Sequence, residues 1–270
     1  MLALAAAVLA LAGPPGWRPD VRGAAHYAAG RRGSISFAVR TRGHVWGRRL
    51  DRVAPSASTL KLILLVTELR RVGNRPLPRG DRALLDPMIR ESADDPASDL
   101  VIRLGRARIE HAAHLGGMRR FRLASPWGLS TVTARDLTRF ALRVHELVPR
   151  RHRAYAMALW RTIVPSQRWG VFAVAPRGWT VRAKGGWGSG TGAIDHQVAL
   201  LSRGNERVAA AVLTTADGSH VYGKATLRGM FEVTGPFGGI FPKWGIVIYN
   251  DQGTAAGATV SATYREVYYS

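Results

Sequence analysis

Ser58-Thr59-Leu60-Lys61-Leu62-Ile63-Leu64-Leu65-Val66 is the stretch on which the reading of the whole chain turns. An apolar run of this kind predicts a helix buried nearly all round, and it carries an amine into a place where water is scarce. Residues three apart share a helical face, with Cβ atoms about 5–6 Å apart, and burial pushes a lysine toward its neutral, proton-accepting form. Ser58 and Lys61 therefore read as a nucleophile beside a base. A helix that begins near Ser58 also offers free backbone N–H groups and the positive end of its dipole to a developing oxyanion. The other reading of Ser-x-x-Lys is a chance pattern whose lysine snorkels to solvent.

Composition sharpens the contrast. Of 39 Lys and Arg residues, four are lysines: Lys61, Lys184, Lys224 and Lys243. Where the chain needs only positive charge it uses arginine, which does not give up its proton, so Lys61 and Lys184 stand out. A formal charge of +21 raises the possibility of a polyanion partner. The arginines are nevertheless spread along the chain, without zinc-ligand spacing, an aromatic RNA-binding motif or a basic heptad. No specific nucleic acid is expected, and attraction to an anionic cell envelope stays open. The chain has no cysteine, which excludes disulfides and thiol chemistry. No His-x-x-x-His pattern with a nearby acid occurs, so neither metal nor cofactor is expected.

Residues 1–19 read as a signal-like segment and linker. Met1 to Ala12 is apolar but too short to span a bilayer, and Ala10-Leu11-Ala12 has the form of a cleavage site. This points to a secreted or envelope-associated protein. A helix is predicted over Val21–Ala29, then strands over Ser34–Arg40 and His44–Arg49 joined by a turn at Thr41-Arg42-Gly43. Helical patterning dominates about residues 56–165, with Thr133 as the cap of the run Ala134–Leu147 and Asp136 in the capping-box position. Strands return at Thr180–Ala183, Gln197–Ser202 and Val208–Thr215, before a closing helix over Ser219–Val233. Strands at both ends around a helical middle predict an α+β architecture over residues 20–235, with a cleft between sheet and helical lobe. Residues 236–270 have no net charge and read as an extension: an appended hairpin, an accessory segment, or translation past a lost stop.

Three short elements fall in order: Ser58-Thr59-Leu60-Lys61, then Ser92-Ala93-Asp94, then Lys184-Gly185-Gly186-Trp187-Gly188 at the end of a strand. In this the chain resembles the class A β-lactamase-like, penicillin-recognising serine hydrolases, whose motifs are S-x-x-K, S-D-N and K-T-G. The likeness covers roughly residues 20–233 and extends to Gln167-Arg168-Trp169-Gly170. It implies a β-lactamase/transpeptidase-like fold, with an antiparallel sheet flanked by helices plus a mostly helical lobe, and a monomer acting on a small-molecule or peptidoglycan-derived substrate. It also implies roles: Ser58 acylated, Lys61 as base, Ser92 as proton relay to the leaving nitrogen, and Lys184 holding a substrate carboxylate. The N–H groups of Ser58 and Trp187 would form the oxyanion hole, with Gly185 and Gly186 letting substrate lie against the strand.

The departures from the pattern carry information too. Asp94 stands where the pattern has an asparagine amide, which removes two N–H donors and adds charge at a substrate-binding position. The hydroxyl of K-T-G is replaced by Gly185. From Ala112 to His145 there is no glutamate to activate a deacylating water, so poor deacylation is expected. Two other functions remain in view: a catalytically impaired binding protein of the same fold, and an anion-binding protein that uses its charge.

Overall fold

The computed structural model describes residues 18–175, 177–188, 190 and 192–234. The signal-like stretch at residues 1–12 and the extension at 236–270 lie outside the described residues. The chain divides into one unit of residues 1–238, which holds every described element, and another of 239–270.

Five strands build the main sheet: β1 (Ser34–Arg40), β2 (Val45–Arg48), β5 (Thr180–Gly188), β6 (Ile194–Arg203) and β7 (Glu206–Thr215). Their order is β2-β1-β7-β6-β5 and every pairing is antiparallel. Side chains alternate across the strands and both faces are covered. Phe37 and Val39 of β1, Leu201 of β6 and Val212 of β7 face α1 (Val21–Ala29) and α7 (His220–Thr234), whose Ala24, Leu227, Met230 and Phe231 complete one core. Ala38, Val198, Leu200, Ala211 and Leu213 belong to the second core, beneath α5 (Ala134–Leu147) with its Leu137, Phe140 and Ala141. Each large side chain buried in this way contributes about 1.5–3 kcal/mol.

The helical lobe consists of α2 (Leu60–Val72), α3 (Arg79–Arg90), α4 (Asp94–Leu115, broken at Gly105), α5 and α6 (Arg153–Arg161). A short ladder of β3 (Ala54–Pro55) and β4 (Thr131–Val132) ties the entry to α2 against the lobe. As its composition predicts, α2 is central, with every residue from Leu60 to Leu69 buried. Its buried Glu68 is held by Arg71 at 2.6 Å and by Arg103 of α4 at 3.3 Å, and Asp81 of α3 binds both arginines at 2.8 Å. This network, which sequence pattern did not disclose, locks three helices together around the one that follows Ser58.

Several boundaries differ from the sequence expectation, with β6 starting three residues and β7 two residues earlier than predicted. β2 is shorter than His44–Arg49, and β5 runs on to Gly188 rather than stopping at Ala183. Consecutive glycines weaken an isolated strand, but β6 supplies partners for all of them: Lys184 pairs with Val198, Gly186 with His196 and Gly188 with Ile194. Lys184 therefore lies in the middle of a strand, not at its end. Thr133 caps α5 by accepting from the Asp136 N–H at 3.1 Å, while the Asp136 carboxylate accepts from the Arg120 N–H at 2.8 Å. Thr133→Ala is expected to lower folding stability by about 1 kcal/mol, read as a lower urea midpoint at unchanged slope.

Candidate active site

Ser58 sits in a 3-10 turn, Ala57–Thr59, that runs directly into α2. The turn is held from three sides. Ser56 donates its N–H to the Ser130 carbonyl at 2.6 Å, and Thr59 donates its hydroxyl to the Ser56 carbonyl at 2.6 Å. Buried His196 of β6 meets the Pro55 carbonyl through Nε2 at 2.9 Å while its Nδ1 accepts from the Thr214 N–H at 3.1 Å, which fixes the tautomer with the proton on Nε2. Burial pushes that imidazole down to about 4, so it stays neutral. Ala57 holds a left-handed φ of 40°, a strain that persists only where surroundings enforce it. Among the described residues neither the Ser58 hydroxyl nor its N–H has a hydrogen-bond partner within the protein.

One helical turn on, Lys61 is fully buried, yet its ammonium does not rest on Ser58. It donates to the Ser92 carbonyl at 2.5 Å, to the Ser92 hydroxyl at 3.3 Å and to Asp94 Oδ1 at 2.5 Å. Ser92, on the turn between α3 and α4, adopts a left-handed φ of 61°. From the sheet, Lys184 reaches the same hydroxyl at 2.8 Å and donates to the Gly185 carbonyl at 3.0 Å. The Ser92 oxygen thus lies between two lysines that are 0% and 1% exposed. Sequence marks Lys61, Ser92, Asp94 and Lys184 one by one, and the fold joins them into one connected cluster.

Two buried amines at one hydroxyl cannot both hold a proton comfortably. Burial lowers the Lys184 pKa well below the usual lysine range, the nearby Lys61 charge lowers it further, and no carboxylate among the described residues touches it. Burial lowers Lys61 as well, but its hydrogen bond and charge pairing with Asp94 oppose the shift. With Asp94 beside it, Lys61 holds a proton more readily than Lys184, the reverse of the roles that the sequence resemblance implies.

The two glycines of β5 make room for the protein itself. A Cβ on Gly185 would stand 2.5 Å from the Trp169 ring, and one on Gly186 would stand 3.0 Å from the Ser58 and Thr59 nitrogens. The expectation that both glycines clear space for substrate is corrected accordingly: Trp169 fills one position and the nucleophile turn fills the other. Trp169 is aimed by Gln197, which donates to the Trp169 carbonyl at 2.9 Å and accepts from the Val171 N–H at 2.8 Å. Trp187 meets Trp169 edge-on at 5.9 Å and stacks on His220 at 5.4 Å, and His220 Nδ1 lies 2.6 Å from Asp195. Burial and the Asp217 charge raise Asp195 to about 8.

Trp127 completes the wall near α4, with its ring centroid 5.1 Å from the Lys61 nitrogen. The sequence marks Trp169 and Trp187 within the motif segments, but not His196, Asp195 or His220. Those three lie on β6 and α7 in stretches with no motif. The polar run Asp195-His196-Gln197 leading into the apolar Val198-Ala199-Leu200-Leu201 was the available signal.

The family described as the β-lactamase enzyme family matches residues 81–229, more than half of the chain. No curated protein matches the sequence. Among solved structures, a β-lactamase from Sphaerobacter thermophilus is 17% identical with a TM-score of 0.67, covering 80% of this chain and 97% of its own. A class A β-lactamase from Mycobacterium abscessus is 21% identical with a TM-score of 0.68, over 79% of this chain and 96% of its own. The protein PBP-A is 18% identical with a TM-score of 0.67, over 81% and 96% respectively. At these identities the likeness is one of fold, and that fold agrees with the α+β architecture of sheet and helical lobe.

The buried Lys184 generates a stability prediction. Its pKa is lower folded than unfolded, so the unfolded chain binds more protons and this lysine opposes folding at neutral pH. Lys184→Met is expected to stabilise the protein at pH 7. The gap from wild type should narrow as pH rises toward the ordinary lysine value near 10.4. Denaturant midpoints of both proteins across that range measure it.

Proposed function

The chain belongs to the β-lactamase enzyme family, and from that premise we propose a serine acyl hydrolase that is acylated at Ser58 and acts on a β-lactam or a related amide or ester. The observation that carries this reading is the Ser92 hydroxyl held between the Lys61 and Lys184 nitrogens, next to a turn whose Ser58 hydroxyl is unengaged. A substrate carboxylate arriving at Lys184 stabilises that lysine's charged form. The proton it needs comes from Lys61, passed through Ser92, which touches both. Lys61 is then neutral and accepts the Ser58 proton as Oγ attacks the acyl carbon. The Ser58 N–H, at the head of α2, faces the developing oxyanion. As the C–N or C–O bond breaks, Ser92 donates its proton to the leaving atom and is reprotonated from Lys61.

Release of the acyl group needs a base for water. Asp94 is the one carboxylate in contact with the lysine cluster among the described residues, and it is already paired with Lys61. This supports slow deacylation. It also supports the second reading, a binding protein of this fold that captures its ligand covalently and turns it over poorly. The apolar Met1–Ala12 stretch and the +21 charge support secretion or attachment to an anionic envelope as a monomer.

Intact-mass measurement during exposure to benzylpenicillin tests the reading. One equivalent should add to the wild type and persist, with none on Ser58→Ala. Lys61→Ala should slow acylation by about 10²–10⁴-fold. A folded wild type that gains no mass from the penicillin or from an active fluorophosphonate would contradict it.

A further inference from the structure

Asp94 is the group on which the cluster differs most from the family pattern, and its surroundings suit a specific ligand chemistry. Its Oδ1 is bound to buried Lys61, yet its side chain is 72% exposed, so the rest of the carboxylate stands at the opening of the site. Half-buried Trp127 packs beside the same lysine, its ring centroid 5.1 Å from that nitrogen. The two are joined through Ser98: the Trp127 indole N–H donates to the Ser98 hydroxyl at 3.0 Å, and that hydroxyl donates to the Asp94 carbonyl at 3.1 Å. The first turn of α4 therefore fixes a carboxylate and an indole together beside Lys61. A carboxylate next to an aromatic face is a receptor for an ammonium group. The asparagine of the family pattern can donate to a substrate carbonyl, whereas an ionised aspartate accepts only.

We propose that Asp94 and Trp127 form an ammonium-binding subsite at the mouth of the active site, so that the preferred acyl donors carry a free cationic amine near the scissile carbonyl. The inference rests on the acyl-enzyme reading of Ser58. The free Asp94 oxygen takes the ammonium and the indole covers it, while Lys184 takes the carboxylate at the other end of the same substrate. The site selects zwitterionic donors and disfavours donors that present a carbonyl or an anion to Asp94. An exposed ion pair together with an indole contact corresponds to a preference of about fivefold or more.

Ampicillin and benzylpenicillin differ by one amino group on the carbon beside the side-chain carbonyl, and intact-mass kinetics give the second-order acylation rate for each. At a pH where that amine is protonated, the wild type should acylate about fivefold or more faster with ampicillin. Asp94→Asn should bring the ratio to one or below, and Trp127→Leu should reduce it, with thermal melting confirming that each variant is folded. If adducts form but the wild-type ratio is at or below one, or stays the same in folded Asp94→Asn, the subsite is refuted and the acyl-enzyme reading stands. If folded wild type acquires no adduct from either compound, both fall.

Discussion

Two amines converge on one hydroxyl in a place almost without water, and the rest of the structure exists around that constraint. Lys61 comes from the central helix and Lys184 from the edge strand of the sheet, so the cluster forms only when helical lobe and sheet are docked. Neither amine can keep its usual proton affinity there. Lys184 has a hydroxyl and a carbonyl for partners, whereas Lys61 has Asp94. That asymmetry decides where the shared proton rests and makes the site responsive to any anion that reaches Lys184.

Holding such a cluster calls for rigid supports, and these are largely polar groups buried in the fold. His196 reaches from β6 to the carbonyl of Pro55, Gln197 clamps the Trp169 turn, and the Glu68 network binds α2 to α3 and α4. His196, Gln197 and Glu68 are buried and hydrogen-bonded, the condition under which a polar group specifies one arrangement instead of destabilising it. The left-handed backbones at Ala57 and Ser92 are kept by this scaffold at the two serines of the site.

Much of the fold was legible in sequence because it follows from period and punctuation. The helix Val21–Ala29 and the strand Ser34–Arg40 begin and end where patterning places them, and Thr133 caps as its spacing predicts. Patterning ends the strand that carries Lys184 too early because glycine propensity is local, while the ladder that overrides it belongs to β6. The site was legible as a set of residue types in order, but their geometry was not. No sequence pattern indicates that Lys61 turns to Asp94, that Trp169 occupies the face of Gly185, or that His220 stacks on Trp187, since each depends on elements far apart in the chain.

The scarcity of lysine makes the central claim measurable. With four lysines in the chain, a protein labelled with ¹⁵N at lysine Nζ gives a side-chain spectrum simple enough to assign by Lys61→Ala and Lys184→Ala, and its signals can be followed through a pH titration. The Lys61 and Lys184 signals should titrate below the ordinary lysine value near 10.4, with Lys184 losing its proton first. Four signals all titrating together at the ordinary value would mean that no dry, proton-sharing pair exists, and the account built on it would be wrong.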